Sequence, residues 1–356
     1  MTKAQPSAMI DLRSDTVTLP TAAMRRAMAE AEVGNDVYAE DPTINRLQQR
    51  AAEIFEREAA LFVPSGSMGN LVAIKVWTQS GMEVICEERA HIHNYEVASV
   101  SAIAGCMTRT VAVPGGILTW NDIEPLIRPK TYYYSQTALV SLENTSNMHG
   151  GTVYPPGITE QICERAHAAG LHVHLDGARI FNAAVALGKT VAEITRGFDS
   201  VLFCLSKGLG APIGSMLVGS RDFIERARIE RKRLGGGMAQ AGVIAAAGLI
   251  ALEESPKRLY LDHENAQILA KGLARIEGIA IEPEKVVTNI VLFDVANTGR
   301  TGTEICDALR PLGVLAAPTA KYSIRMVTHS DVDRFGIEHA IAQIARVLAN
   351  GLPHSA

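Results

Sequence analysis

Two spacings of apolar residues alternate along this chain, and the alternation predicts its architecture. Ile44, Leu47, Ala51, Ile54 and Phe55 fall on one face of a 3.6-residue period with charges between them, as in an amphipathic helix. Ala60-Leu61-Phe62-Val63 follows as a short apolar run closed by Pro64-Ser65-Gly66, and a second helical stretch covers Met68 to Trp77. Glu83 to Cys86, Ala138 to Leu142, Leu171 to Leu175, Val201 to Leu205 and Ile213 to Val218 read as further strands. Helical stretches over Thr159 to Ala169 and Thr190 to Thr195 separate several of them. This order of strand and helix predicts an α/β domain, a mainly parallel sheet covered by helices on both faces.

Helical spacing then runs from Arg221 to Leu252 as one long region, broken by Ser255-Pro256. A helix over Arg258 to Ile276 leads to alternating runs at Val287 to Phe293 and Tyr322 to Val327, which read as a small C-terminal α+β domain. The expected division is a loose N-terminal arm over 1–20, a large domain over 21–255 and the small domain over 256–356.

Composition narrows the class. The chain has 356 residues, 47% hydrophobic and 20% charged, which is ordinary for a globular protein and excludes a disordered one. A net charge of -4 gives no basic field to attract nucleic acid or a membrane surface. The basic cluster from Arg226 to Arg233 alternates with apolar and acidic residues, as a solvated helix face does. Five scattered cysteines without a CxxC pair fit a reducing compartment rather than a disulfide framework. Met1 to Ala8 lack an apolar core of the signal-peptide type, and the longest apolar stretch, Ala239 to Leu252, is too short to span a bilayer. A cytoplasmic location is expected.

In open α/β sheets ligands bind beyond the carboxyl ends of the strands. The polar residues that follow the apolar runs are therefore the candidate chemistry: Ser65-Gly66-Ser67, Glu143-Asn144, Asp176 and Ser206-Lys207. A lysine beside buried surface has a disfavoured charge, so the amine of Lys207 is readied as a Schiff-base nucleophile. A plain surface lysine at a strand end fits that motif equally well. Asp176 is a carboxylate in the same position on another strand, and a helix N-cap is its plainer reading. Pro64-Ser65-Gly66-Ser67 opens a helix whose free N–H groups suit a phosphate, although it lacks a Walker lysine and a dinucleotide spacing. His172 and His174, two apart on one strand, have a metal-ligand spacing, but no third ligand is evident and core packing is the favoured reading. No metal is expected. His91, just past a strand end, is placed to lie against a planar ligand.

Longer motifs carry a resemblance over nearly the whole chain. They include Ile10-Asp11-Leu12-Arg13-Ser14-Asp15-Thr16, Glu32-Val33-Gly34-Asn35-Asp36-Val37-Tyr38, Phe62-Val63-Pro64-Ser65-Gly66 and Leu142-Glu143-Asn144-Thr145. They continue with His174-Leu175-Asp176-Gly177-Ala178-Arg179, Cys204-Leu205-Ser206-Lys207-Gly208-Leu209-Gly210, Gly235-Gly236-Gly237-Met238 and Arg325-Met326-Val327-Thr328-His329. In these the chain resembles the low-specificity L-threonine aldolases, in the β-eliminating-lyase group of fold-type-I pyridoxal-phosphate (PLP) enzymes. The resemblance implies a seven-stranded, mainly parallel sheet and cleavage of β-hydroxy-α-amino acids to glycine and an aldehyde. It implies PLP carried on Lys207, with Asp176 at the pyridine nitrogen, Ser65, Gly66, Ser67 and Ser206 around the cofactor, and His91 stacked on its ring. Ser14, Arg179 and Arg325 are expected at the substrate carboxylate, where a planar guanidinium fork fits, and Arg179 beside the cofactor as well. Lys232 is expected to reach a neighbouring subunit's phosphate within a homotetramer whose active sites form at a dimer interface.

Two positions depart from the family pattern. Ser146 stands where a histidine commonly follows Glu-Asn-Thr, and Ala239 where an arginine commonly follows Gly-Gly-Gly-Met. His149 is a candidate replacement for the missing imidazole. Smaller residues at both places predict room for a bulkier aldehyde part. β-Elimination, or aldol transfer on a bulkier β-hydroxy amino acid, is the alternative chemistry.

Overall fold

The computed structural model describes residues 9–350. The chain divides into two compact units, one of Leu19–Lys257 and one that joins the residues up to Thr18 to those from Arg258 onward. In chain order, a two-residue strand β1 (Ile10–Asp11) precedes the seven strands of the large sheet. These are β2 (Ala59–Val63), β3 (Glu83–Glu87), β4 (Met107–Val111), β5 (Thr137–Glu143), β6 (His172–Asp176), β7 (Ser200–Cys204) and β8 (Ser215–Gly219).

The spatial order is β2-β8-β7-β6-β5-β3-β4. The pairs from β7 through β6, β5 and β3 to β4 are parallel, while β8 runs antiparallel to both neighbours. Loop length explains the exception. A parallel return needs a crossover of a dozen residues or more. Only the short loop after Cys204 separates β7 from β8, so the chain turns straight back. That loop is closed by Leu205 and Ser206 N–H groups donating to the Gly214 carbonyl, at 3.0 and 3.3 Å. Every residue of β3, β7 and β8 is buried.

β4 was not predicted from the sequence. It is one of the two edge strands, Met-Thr-Arg-Thr-Val, and none of its residues is fully buried, so it shows no apolar run. The expected single helical region from Arg221 to Leu252 is two helices, Arg221–Arg233 and Gly242–Glu254. The glycine run between them breaks it, with Gly235 at φ +79°, a conformation that suits glycine and ends a helix. Between the sheet and its helices, Phe55 stacks on Phe203 at 4.8 Å and meets Phe181 edge-on. Such ring pairs add about 0.5–1.5 kcal/mol beyond the area they bury. Among the described residues no helix is long and apolar enough to cross a membrane. All five cysteines are free and buried.

The second unit carries β9 (Ile290–Asp294), β10 (Val314–Leu315), β11 (Ala317–Ala320) and β12 (Ser323–Val327). β11, β12 and β9 form an antiparallel sheet, packed with helices Leu259–Leu273, Gly302–Leu309 and Arg334–Asn350 around one apolar core. Of the residues expected to be a loose arm, Ile10 to Thr18 are part of this unit, while Leu19 and Pro20 belong to the large one. β1 pairs in parallel with β10, and the Val327 N–H donates to the Leu12 carbonyl at 2.8 Å. The reason is Leu12, fully buried in that core, which the polar residues around it obscure in the sequence. The division between the units falls at Lys257 and Arg258, where the sequence suggests 255 and 256.

Candidate active site

Parallel strands deliver their carboxyl ends to one edge of the sheet, and the polar groups that follow them meet there. They line a cavity of about 330 Å³ that contains Ser65, Gly66, Ser67, Asn70, His91, Glu96, Asp176, Ser206 and Lys207. Seven of these were predicted from the sequence. Asn70 and Glu96 were not, nor was Cys204 at the cavity wall.

Each group is positioned by a local cause. Ser65 caps the helix Gly66–Trp77 by accepting from the Met68 N–H at 3.2 Å, so the first turn opens on the cavity with N–H groups unpaired within the helix. At Gly66 a Cβ would come within 3.0 Å of the Cys204 sulfur, so a larger residue would crowd the wall. Asp176 ends β6. Its Oδ1 accepts from the Ala178 N–H at 3.1 Å and its Oδ2 from the Asn70 amide at 2.8 Å, which fixes the carboxylate on a buried floor. Lys207 and Ser206 sit on the closed β7–β8 loop.

His91 opens the short helix His91–Asn94 after β3. Its N–H donates to Glu143 Oε2 at 2.7 Å, and Glu143 Oε1 accepts from the Asn147 N–H at 2.7 Å, so one carboxylate ties two loops together. Burial first, then the charge of Asp176, push the Glu143 pKa up to about 7. The His91 ring Nδ1 lies 2.9 Å from Glu96 Oε1. Burial works against a charged imidazole, but the bond to Glu96 and the charge of Asp176 outweigh it and hold the His91 pKa above its ordinary value. Glu96 is also raised, chiefly by burial. His91, Glu96 and Asp176 offer ligand atoms within 4.8 Å of one another, and hydrogen bonds through Asn70 account for the grouping.

The other expected residues are placed as follows. Arg179 is buried just after Asp176, and its guanidinium reaches Asn147 Oδ1 at 3.3 Å. It does not line the cavity wall. Lys232 is exposed in the last turn of Arg221–Arg233 and also stands outside the cavity. Ser14 and Arg325 belong to the second unit. Ser14 caps the 3-10 turn Asp15–Val17, and Arg325 sits mid-strand in β12 opposite Leu292.

The histidines part ways. His174 is fully buried, as core packing requires, while His172 is half-exposed, stacked on Trp77 at 4.1 Å. His149 turns its Nε2 to Glu87 at 3.3 Å, and neither it nor Ser146 lines the cavity.

Known proteins share both sequence and fold with this chain. It is 46% identical to a probable low-specificity L-threonine aldolase 2 of Arabidopsis thaliana, over 95% of this chain and 97% of that one. It is 40% identical to the low specificity L-threonine aldolase of Escherichia coli K12, over 96% of this chain and all of the other. The threonine aldolase of Leishmania major superposes with a TM-score of 0.80 at 22% identity, over 96% of this chain and 100% of that one. A structure titled as SPT with a PLP internal aldimine has the same fold at a TM-score of 0.74 and 17% identity, over 96% of this chain and 88% of the other. The sequence pattern of the beta-eliminating lyases matches residues 11–298, most of the length, and the chain belongs to that family.

Proposed function

We propose that this chain is a PLP-dependent aldehyde-lyase that cleaves L-threonine, L-allo-threonine or related β-hydroxy-α-amino acids to glycine and an aldehyde, reversibly. The observation that carries the reading is one cavity holding an amine at Lys207, a fixed carboxylate at Asp176 and the helix N-terminus behind Ser65. Those three groups fit a phosphorylated pyridine aldehyde. The N–H groups at Gly66 and Ser67 suit its phosphate, Asp176 its ring nitrogen and Lys207 its aldehyde carbon.

When bound, that cofactor supplies an electron sink for the pair left at the substrate's Cα. The chain's own groups do the rest. Lys207 is the covalent anchor. Asp176, held as an acceptor on both oxygens, keeps the proton on the ring nitrogen. Arg179, next in the chain to the cavity-lining Ala178, is assigned the substrate carboxylate, whose anchoring fixes the bond at Cα that breaks. His91 takes the β-hydroxyl proton and the aldehyde leaves.

The test is aldehyde release from L-threonine by the parent and by Lys207→Ala, together with the visible absorbance of each. The expected result is aldehyde and a visible band in the parent and neither in the variant. A band without aldehyde from any β-hydroxy amino acid would overturn the aldolase reading. 2-Oxobutanoate and ammonia from threonine, in place of glycine and aldehyde, would establish β-elimination. That alternative, with aldol transfer, draws on the sequence departures at Ser146 and Ala239, although neither residue lines the cavity.

The same reading takes the protein as a cytoplasmic homotetramer with active sites at a dimer interface. The exposed ammonium of Lys232 is available to a second copy's phosphate. Light scattering of the purified protein decides the assembly.

A further inference from the structure

Behind the cavity a run of hydrogen bonds has a direction that follows atom by atom. Asn70 is 1% exposed in the helix Gly66–Trp77. Its Nδ2 lies 2.8 Å from Glu96 Oε1 and 2.8 Å from Asp176 Oδ2. Only the NH₂ side of an amide can face two carboxylates, so both hydrogens donate and Oδ1 is left to accept. Oδ1 accepts from Nε2 of His174 at 3.1 Å. Burial pushes the His174 pKa down to about 4, so the ring is neutral and its single proton sits on Nε2. Nδ1 must then accept from the Ser200 hydroxyl at 2.9 Å, whose oxygen accepts from the Trp77 indole N–H at 2.8 Å. Every donor in the run points toward the two carboxylates.

On the cavity side, Glu96 Oε1 meets the His91 ring at Nδ1. The turn that aims Glu96 inward is strained. Val97 and Ala98 both have φ +54°, a left-handed conformation that bulky residues avoid, and Val97 is 93% exposed, without packing to offset the cost. The Glu96 side chain is nevertheless almost wholly buried, and its Oε2 has no hydrogen-bond partner among the described residues. Its charge is therefore directed at His91 and not shared with another cation.

We propose that Asn70 and Glu96 are positioning residues of the reaction. Asn70 locks Glu96 and Asp176 as paired acceptors, and Glu96 fixes His91 with its proton on Nδ1 and Nε2 open as the base. This rests on the aldolase reading of His91. The groups facing His91 are Glu96 from its own turn, Asp176 from β6, Glu143 from β5, Lys207 from the loop after β7 and the Tyr95 ring at 5.5 Å. Glu96 and Asp176 favour the protonated ring, and Lys207 opposes it. A base must be neutral, so activity falls at acidic pH as His91 takes up its proton.

Glu96→Gln keeps an acceptor at Oε1 and removes the charge. The expected result is a lower kcat with an acid limb moved to lower pH. Carbethoxylation of His91 by diethyl pyrocarbonate reacts only with the neutral ring. Mapped by mass spectrometry in loaded and cofactor-free protein, it should shift in the same direction. Asn70→Ser removes a donor that favours the Glu96 charge, so it should shift both profiles the same way and lower kcat. It decides the matter if Glu96→Gln does not fold. A folded variant of either kind with both profiles unmoved overturns the inference. If the parent releases no aldehyde, the aldolase reading fails, while the carbethoxylation profile still decides whether Glu96 sets the state of His91.

Discussion

Two histidines flank Asn70, and their pKa values are displaced in opposite directions. His174 touches the amide directly, is fully buried and is neutral, with its pKa pushed down to about 4 by burial. His91 connects through Glu96, is also largely enclosed, and is held above its ordinary value. Burial acts on both in the same direction. What separates them is the ring's partner, a hydroxyl and an amide for His174 and a buried carboxylate for His91. An enclosed histidine is therefore read from the charge bonded to its ring, and enclosure alone says little about it.

The largest effect that would sharpen this contrast is on catalysis. His91→Asn should lower kcat by about a hundredfold or more, the usual worth of a positioned base, with thermal stability close to the parent's. Loss of activity no greater than a few-fold would remove His91 from the mechanism. His174→Leu should do the reverse. It strands the Asn70 carbonyl and the Ser200 hydroxyl, so it should cost about 1–3 kcal/mol in chemical denaturation. The acid limb of kcat should keep its shape if His174 only orients its neighbours.

The two rings also tilt stability in opposite directions with pH. His174 is depressed from 6.5, so below that value the unfolded chain binds a proton the folded one refuses. Its contribution is complete above pH 6.5 and is lost as pH falls toward about 4, with a slope of up to about 1.4 kcal/mol per pH unit. His91 is raised, so its contribution is complete below the ordinary histidine value and is lost as pH rises through its folded value. Denaturation midpoints between pH 4 and 7 should show a slope that flattens in His174→Leu. An unchanged slope would break the comparison. The smallest effect is expected at the strained turn. Val97→Gly should stabilise the fold by about 1 kcal/mol or less, since relief of strain is partly offset by chain entropy. A loss of stability there would mean that the left-handed turn is not under strain.

Much of the site could be read from the chain because its chemistry follows the ends of apolar runs. Lys207, Asp176 and Ser65 to Ser67 each lie at or just past the end of a strand, and the strand-end rule needs no side-chain detail. Asn70 and Glu96 carry no such mark. Asn70 is a polar residue on the buried face of its helix, and only the positions of β6 and of the turn after His91 give its amide two carboxylates. Glu96 lies in a loop whose inward aim depends on left-handed backbone at Val97 and Ala98, which neither residue type advertises. The same limits apply to the fold. β4 hid because an edge strand needs few apolar residues, and the break before Gly242 hid because helical spacing happened to continue across the glycines.

The pairing of β1 with β10 has a consequence for the order in which this protein is made. Ile10 is made about 300 residues before its partner Val314. The unit Leu19–Lys257 is complete in sequence well before then and can fold as it emerges, while the short segment ahead of it waits with an apolar Leu12 uncovered. β1 therefore cannot pair before Val314 has been made, and closing the second unit waits on both of its sequence segments.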